Sequence, residues 1–192
     1  MKATLLKLLY VSALLAGLYG CSSDDGTGGN SGSKGTPEIA GKYMLVSMRS
    51  DISVDLNNDG VLSNNMLTEI DDDSAPTQAD LEIKPVFVDN ELVQLMSFYL
   101  PHPTLSFDNP KEPEGSVKYT PKGLGYEYQY NNDTNVITID NGNSGSVPSS
   151  GQLDTIEVEG SNQLLAVFEK YYYDFAINEW RLLTITCRYV RS

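Results

Sequence analysis

The residues best placed to do chemistry lie in one short run, Asp55-Leu56-Asn57-Asn58-Asp59-Gly60. Oxygen-bearing side chains at alternate positions, followed by glycine for the sharp turn, match the first half of a twelve-residue calcium loop. In that pattern Asp55, Asn57 and Asp59 present side-chain oxygens, Val61 its carbonyl and Ser63 its hydroxyl. The twelfth position is Met66, which has no carboxylate, so Glu69 or one of Asp71, Asp72 and Asp73 has to reach back. The alternative is a solvated Asx-rich turn, because Asn, Asp and Gly favour turns for backbone reasons of their own. A second set is aromatic. Tyr126, Tyr128 and Tyr130 alternate along a predicted strand and share one face, where they can line a ligand site or simply fill a barrel. Tyr171, Tyr172, Tyr173, Phe175 and Trp180 crowd the last hairpin in the same two senses. His102 is the single histidine, set between Pro101 and Pro103 in a predicted loop, and no nucleophile is spaced to use it. Zinc needs a cluster of Cys or His that this chain lacks. With no glycine-rich phosphate loop and no nucleophile elbow, the sequence points to no catalytic residue and to a protein that is not an enzyme. A carboxylate-pair hydrolase would require two carboxyl groups about 5 to 9 Å apart across a cleft.

The elements that must position these residues read almost entirely as strands. Lys42 to Arg49 is the first, followed by a polar loop over 51–65 and a short helix that Asn64 or Asn65 could cap, ending at Ile70. Leu81–Val88 and Glu91–Leu100 form a hairpin across Asp89-Asn90. Pro101 to Glu114 holds four of the nine prolines and is expected to be irregular. Val117–Thr120, Gly125–Tyr130, Val136–Asp140, Leu153–Glu159, Gln163–Tyr173 and Trp180–Val190 complete the set. Cys187 alternates with Leu183, Ile185 and Tyr189, which makes it a buried core thiol. The fold class is therefore all-β, an antiparallel up-and-down barrel of eight or nine strands with one short helix, because closure removes exposed edges.

The chain has 192 residues, 40% of them hydrophobic and 20% charged, enough for one domain with a sizeable core. Its 13 basic and 26 acidic residues give a net charge of −13. Such a balance repels phosphates, so nucleic acid is excluded as a partner, while divalent cations are attracted.

Residues 1–20 have the form of a secretory signal, with Lys2 and Lys7 before an apolar run from Leu8 to Leu18 that is too short for a permanent anchor. Its end, Leu18-Tyr19-Gly20-Cys21, resembles the lipobox of bacterial lipoproteins, although Tyr19 is larger than the usual small residue. That resemblance implies acylation of Cys21 and a membrane partner reached through the acyl chains, which hold durably when two or three are present. Losing Lys2 and Lys7 with the signal leaves 11 basic against 26 acidic residues, a net charge of about −15. Ser22-Ser23-Asp24-Asp25 is similar to the export signal of surface lipoproteins of the Bacteroidetes, which implies an outer-membrane protein facing the cell surface; otherwise it faces the periplasm. Residues 21–38 read as a lipidated flexible tether and 39–192 as the barrel domain. Gly41-Lys42-Tyr43 sits where lipocalins carry Gly-x-Trp, and Arg188, with Arg181 or Arg191 as alternatives, stands for the arginine that packs across that aromatic. The domain thus resembles the lipocalin-like domain lipoproteins. What the resemblance implies is a barrel holding a small apolar or amphipathic ligand. The alternative is a structural subunit of a surface assembly, with a filled barrel and loops that dock a protein or glycan.

Overall fold

The computed structural model describes residues 38–70, 80–105, 117–139 and 147–192. Cys21, the signal and the tether up to residue 37, Asp71 to Asp73, most of the proline-rich stretch and part of the Gly/Ser-rich loop lie outside the described residues. In chain order the elements are β1 (Gly41–Val54), β2 (Ser63–Asn65), α1 (Met66–Glu69), β3 (Leu81–Val88), β4 (Glu91–Leu105), β5 (Val117–Asn131), β6 (Val136–Ile139), β7 (Gln152–Glu159), β8 (Gln163–Asp174) and β9 (Glu179–Arg191). The sheet runs β6-β5-β4-β3-β1-β9-β8-β7, with β2 paired to β1. Every pairing is antiparallel. The result is a nearly closed eight-stranded barrel with one short helix, the expected fold class. The seam is where β6 and β7 meet without a hydrogen-bonded ladder.

Turn chemistry sets the register. Asp89 and Asn90 both have positive φ, 49° and 68°, as a two-residue turn with the twist of its flanking strands requires, and β3 and β4 pair residue for residue from it. Alternation then sends every second side chain inward. Along β8 these are Leu164, Ala166, Phe168, Lys170, Tyr172 and Asp174, all buried. Phe98 stacks edge-on against Phe168 at 5.1 Å, Tyr189 at 6.0 Å and Tyr126 at 6.1 Å, so aromatic rings fill the middle of the barrel. Cys187 is buried among them, and burial pushes its thiol up to about 12, as expected of an inert core cysteine.

Four sequence expectations need correction. β1 continues five residues beyond Arg49: its ladder to β9 runs as far as Ser50, the Asp51 carboxylate accepts the Thr184 N–H just past it, and Val54 pairs with Ser63 of β2. β5 is one strand through Pro121, not two. Pro101 and Pro103 lie inside β4, opposite Pro121 and Tyr119. Two prolines facing each other suit a position where neither N–H is asked to bond across the pair, and among the described residues no strand lies on the β3 side of β4 beyond Phe98. Finally, Asn65 precedes α1 without making a side-chain capping bond; instead Ile70 N–H closes the single turn on the Met66 carbonyl.

Candidate functional site

The register gathers the chain's entry at Ile39 and Ala40, the β5–β6 and β7–β8 turns and the end of β9 at one end of the barrel. This entry end holds a recess of about 510 Å³ lined by Tyr43, Tyr130, Asn132, Asn135, Gln163 and Arg191, among others. Tyr43 donates from Oη to the Ile39 carbonyl at 2.8 Å, and the Arg191 guanidinium lies 5.7 Å from the centre of its ring. Arg191 also donates to the carbonyls of Glu38 and Ala40, which ties the entering chain to the last strand. Arg191, rather than Arg188, therefore packs across the first-strand aromatic. Arg188 is on the outer face between the inward Cys187 and Tyr189, and it pairs with Glu159 at 2.9 Å, while Arg181 pairs with Asp174 at 3.1 Å.

Tyr126, Tyr128 and Tyr130 do share the inner face of β5, but at different depths. Tyr130 reaches the recess and donates to Asn135 Oδ1 at 2.7 Å. Tyr126 accepts the Leu153 N–H at 2.8 Å, bridging the seam to β7. Tyr128 is buried, its hydroxyl makes no hydrogen bond to the described residues, and burial, then the nearby Tyr43 hydroxyl, push it up to about 12.

The Asp55 loop lies at the far end. Asp55, buried, takes the N–H of Asp59 at 3.2 Å and of Gly60 at 3.0 Å. Asn57 Oδ1 accepts the Asp59 N–H, and Asp59 accepts the Val61 N–H and the Asn57 side-chain amide. Glu69 does reach back, accepting the Leu56 N–H at 2.9 Å. Its carboxyl is raised, first by burial and then by Asp59, Asp55 and Asp174, against the lowering effect of that N–H. Four of the six predicted metal ligands, Asp55, Asn57, Asp59 and Glu69, are thus brought into one neighbourhood. Val61 is exposed, and Ser63 Oγ is occupied by the Asn65 N–H. Met66 is core. Among the described residues no three or more His, Cys, Asp or Glu side chains are grouped to hold a metal ion. The loop is clamped to the barrel by Tyr119 Oη, which donates to the Leu56 carbonyl at 2.8 Å, and by Phe175 N–H to the Asp55 carbonyl.

Compared with protein-family models, curated proteins and solved structures, the chain matches none.

Sequence reasoning missed Lys170. It occupies an inward position of β8, fully buried, with Nζ 2.9 Å from the Ser150 carbonyl, 3.3 Å from that of Ser149 and 3.5 Å from His102 Nδ1. The ring of Tyr172 lies 5.6 Å away. Burial, then the charge of Lys122, push the ammonium down to about 8. His102 is lowered as well, by burial and then by Lys170 and Lys122, with the Ser149 carbonyl acting the other way. His102 sits in a strand, not a loop, facing inward. The signal was present: in the β8 alternation one cation stands on the apolar face.

Proposed function

We propose that this protein is a membrane-tethered lipoprotein whose lipocalin-like barrel binds a small amphipathic molecule at its entry end. The observation that carries the reading is the recess of about 510 Å³, a size typical of small-molecule sites, in which aromatic rings alternate with amides and one guanidinium. The centre of the barrel is packed with rings, so the ligand is held at the mouth and not in a deep calyx. An apolar portion lies against Tyr43, Val158 and Leu164, and polar groups meet Asn132, Asn135 and Gln163. Acylation at Cys21 supplies the anchor, with the barrel outside the outer membrane, and the tether joins the domain at the rim of the recess, since Glu38 and Ile39 line it.

Native mass spectrometry of the full-length protein from its own membrane tests this. The expected result is a co-purifying small molecule that is lost from Tyr130→Ala. A wild type that carries nothing, or a variant that retains the molecule equally, overturns the reading. Exposed aromatic and aliphatic side chains along β9 and the last turn, Ile177, Trp180 and Leu182, favour a second reading, a subunit docking a surface protein or glycan.

A further inference from the structure

At the far end a second recess, of about 460 Å³, is lined by His102, Pro103, Val147, Ser149, Tyr171 and Trp180. Two features set it apart from the rest of this acidic protein. Its walls include two large aromatics left open to solvent, Tyr171 at 41% and Trp180 at 51% exposure. Its floor is backed by positive charge: His102 and Ser149, which line it, are two of the groups that hold the buried Lys170 ammonium. Lys122 acts electrostatically on both Lys170 and His102. Among the described residues no carboxylate forms an ion pair with Lys170, Lys122 or His102.

We infer that this far-end recess is a second binding site, for a small organic anion with an aromatic or otherwise apolar body. The apolar body lies against Trp180 and Tyr171, where ring faces give contact area at small entropic cost. The anionic group turns to His102, over the buried ammonium. Because an ammonium can only donate, Lys170 takes Nδ1 of His102 as an acceptor and places the imidazole proton on Nε2, a donor suited to an anion. A neutral ligand of the same shape gains the first interaction and not the second. This inference does not depend on occupancy of the entry-end recess.

Trp180 is the only tryptophan, so its emission reports this site directly. Full-length protein is titrated at pH 7 with 3-phenylpropionate and with its neutral counterpart 3-phenylpropionamide. The carboxylate should bind about tenfold more tightly, as expected for one partly buried charge pair. In Lys170→Met the preference should collapse to about twofold or less while weak binding of both persists. Lys122→Gln, an exposed change that cannot disturb the core, should cut the preference to about threefold. Tyr130→Ala should leave it unchanged. Equal binding of acid and amide, a full preference surviving in Lys122→Gln and Lys170→Met, or loss of binding in Tyr130→Ala would each overturn the assignment.

Discussion

A lysine held at zero exposure, with no carboxylate paired to it among the described residues, should cost stability, and the cost should depend on pH in a way that identifies it. Lys170 is shifted from 10.5 to about 8, principally by burial. Since each unit corresponds to about 1.4 kcal/mol, holding the charged form in the fold costs about 3 kcal/mol at neutral pH. Below about pH 8 the side chain is protonated in both folded and unfolded chains, and the whole cost stands. Between about 8 and 10.5 the unfolded chain keeps the proton and the folded one releases it, so stability rises with pH. Above 10.5 both are neutral and the difference is gone. The perturbation is Lys170→Met, which keeps most of the volume and removes the charge. It also removes the bonds to Ser149 and Ser150, a loss of about 1 kcal/mol each that does not vary with pH. At pH 7 the variant should therefore be the more stable by about 1 to 2 kcal/mol. From pH 8 to 9.5 that advantage should shrink by about 2 kcal/mol and change sign. Urea denaturation of both proteins at a series of pH values, followed by Trp180 emission, measures the difference. Taking the difference cancels the tyrosines and Cys187, which titrate alike in the two chains. A gap that stays flat from pH 7.5 to 9.5 would refute the reasoning, whatever its size.

Other expectations can be checked with the same material. Tyr119→Phe strips the buried Leu56 carbonyl of its donor and should cost about 1 to 2 kcal/mol in the same denaturation; no loss would mean that the loop is not clamped there. If the Asp55 loop takes calcium, tenfold excess over Kd adds about 1.4 kcal/mol, a melting shift of about 3 to 6 °C that should vanish when Asp55 and Asp59 are both alanine. Identical melting in millimolar calcium and in chelator makes the loop an ordinary turn. Cys21→Ser should abolish labelling by a radioactive fatty acid, and wild-type labelling would sink the lipobox reading. Alanine at Asp24 and Asp25 should leave acylation intact and protect the domain from protease added to whole cells, whereas equal shaving would make the pair simple linker.

The barrel was legible because its strands alternate cleanly and its turns carry Asp-Asn, Asn and Gly where positive φ is needed, at Asp89, Asn90, Asn135, Gly160 and Asn178. Prolines misled, since Pro101, Pro103 and Pro121 argue against a strand unless it is known that their ring nitrogens face no partner. The alternation of Leu183, Ile185, Cys187 and Tyr189 turns Arg188 outward and leaves Arg181 and Arg191, and which of those two lies over Tyr43 depends on the β1–β9 register, which pairs Tyr43 with Arg191. Likewise the reach of Glu69 to Leu56 was open to sequence reasoning, whereas the approach of Ser149 and Ser150 to Lys170 was not. Contacts between residues about 20 apart in the chain, through a loop without periodicity, leave no local pattern to read.

The seam between β6 and β7 makes one part of the cylinder thermodynamically separable from the rest. Parting it costs side-chain contacts and the bridge from the Leu153 N–H to Tyr126 Oη, and no backbone ladder has to break. Local opening there should therefore require much less free energy than global unfolding. Amide hydrogens of β6, paired to β5 over only four residues, should exchange with deuterium well before those of β1 and β9, which are laddered on both sides. The barrel wall can therefore loosen along one line while the rest of the sheet stays paired from β5 round to β7.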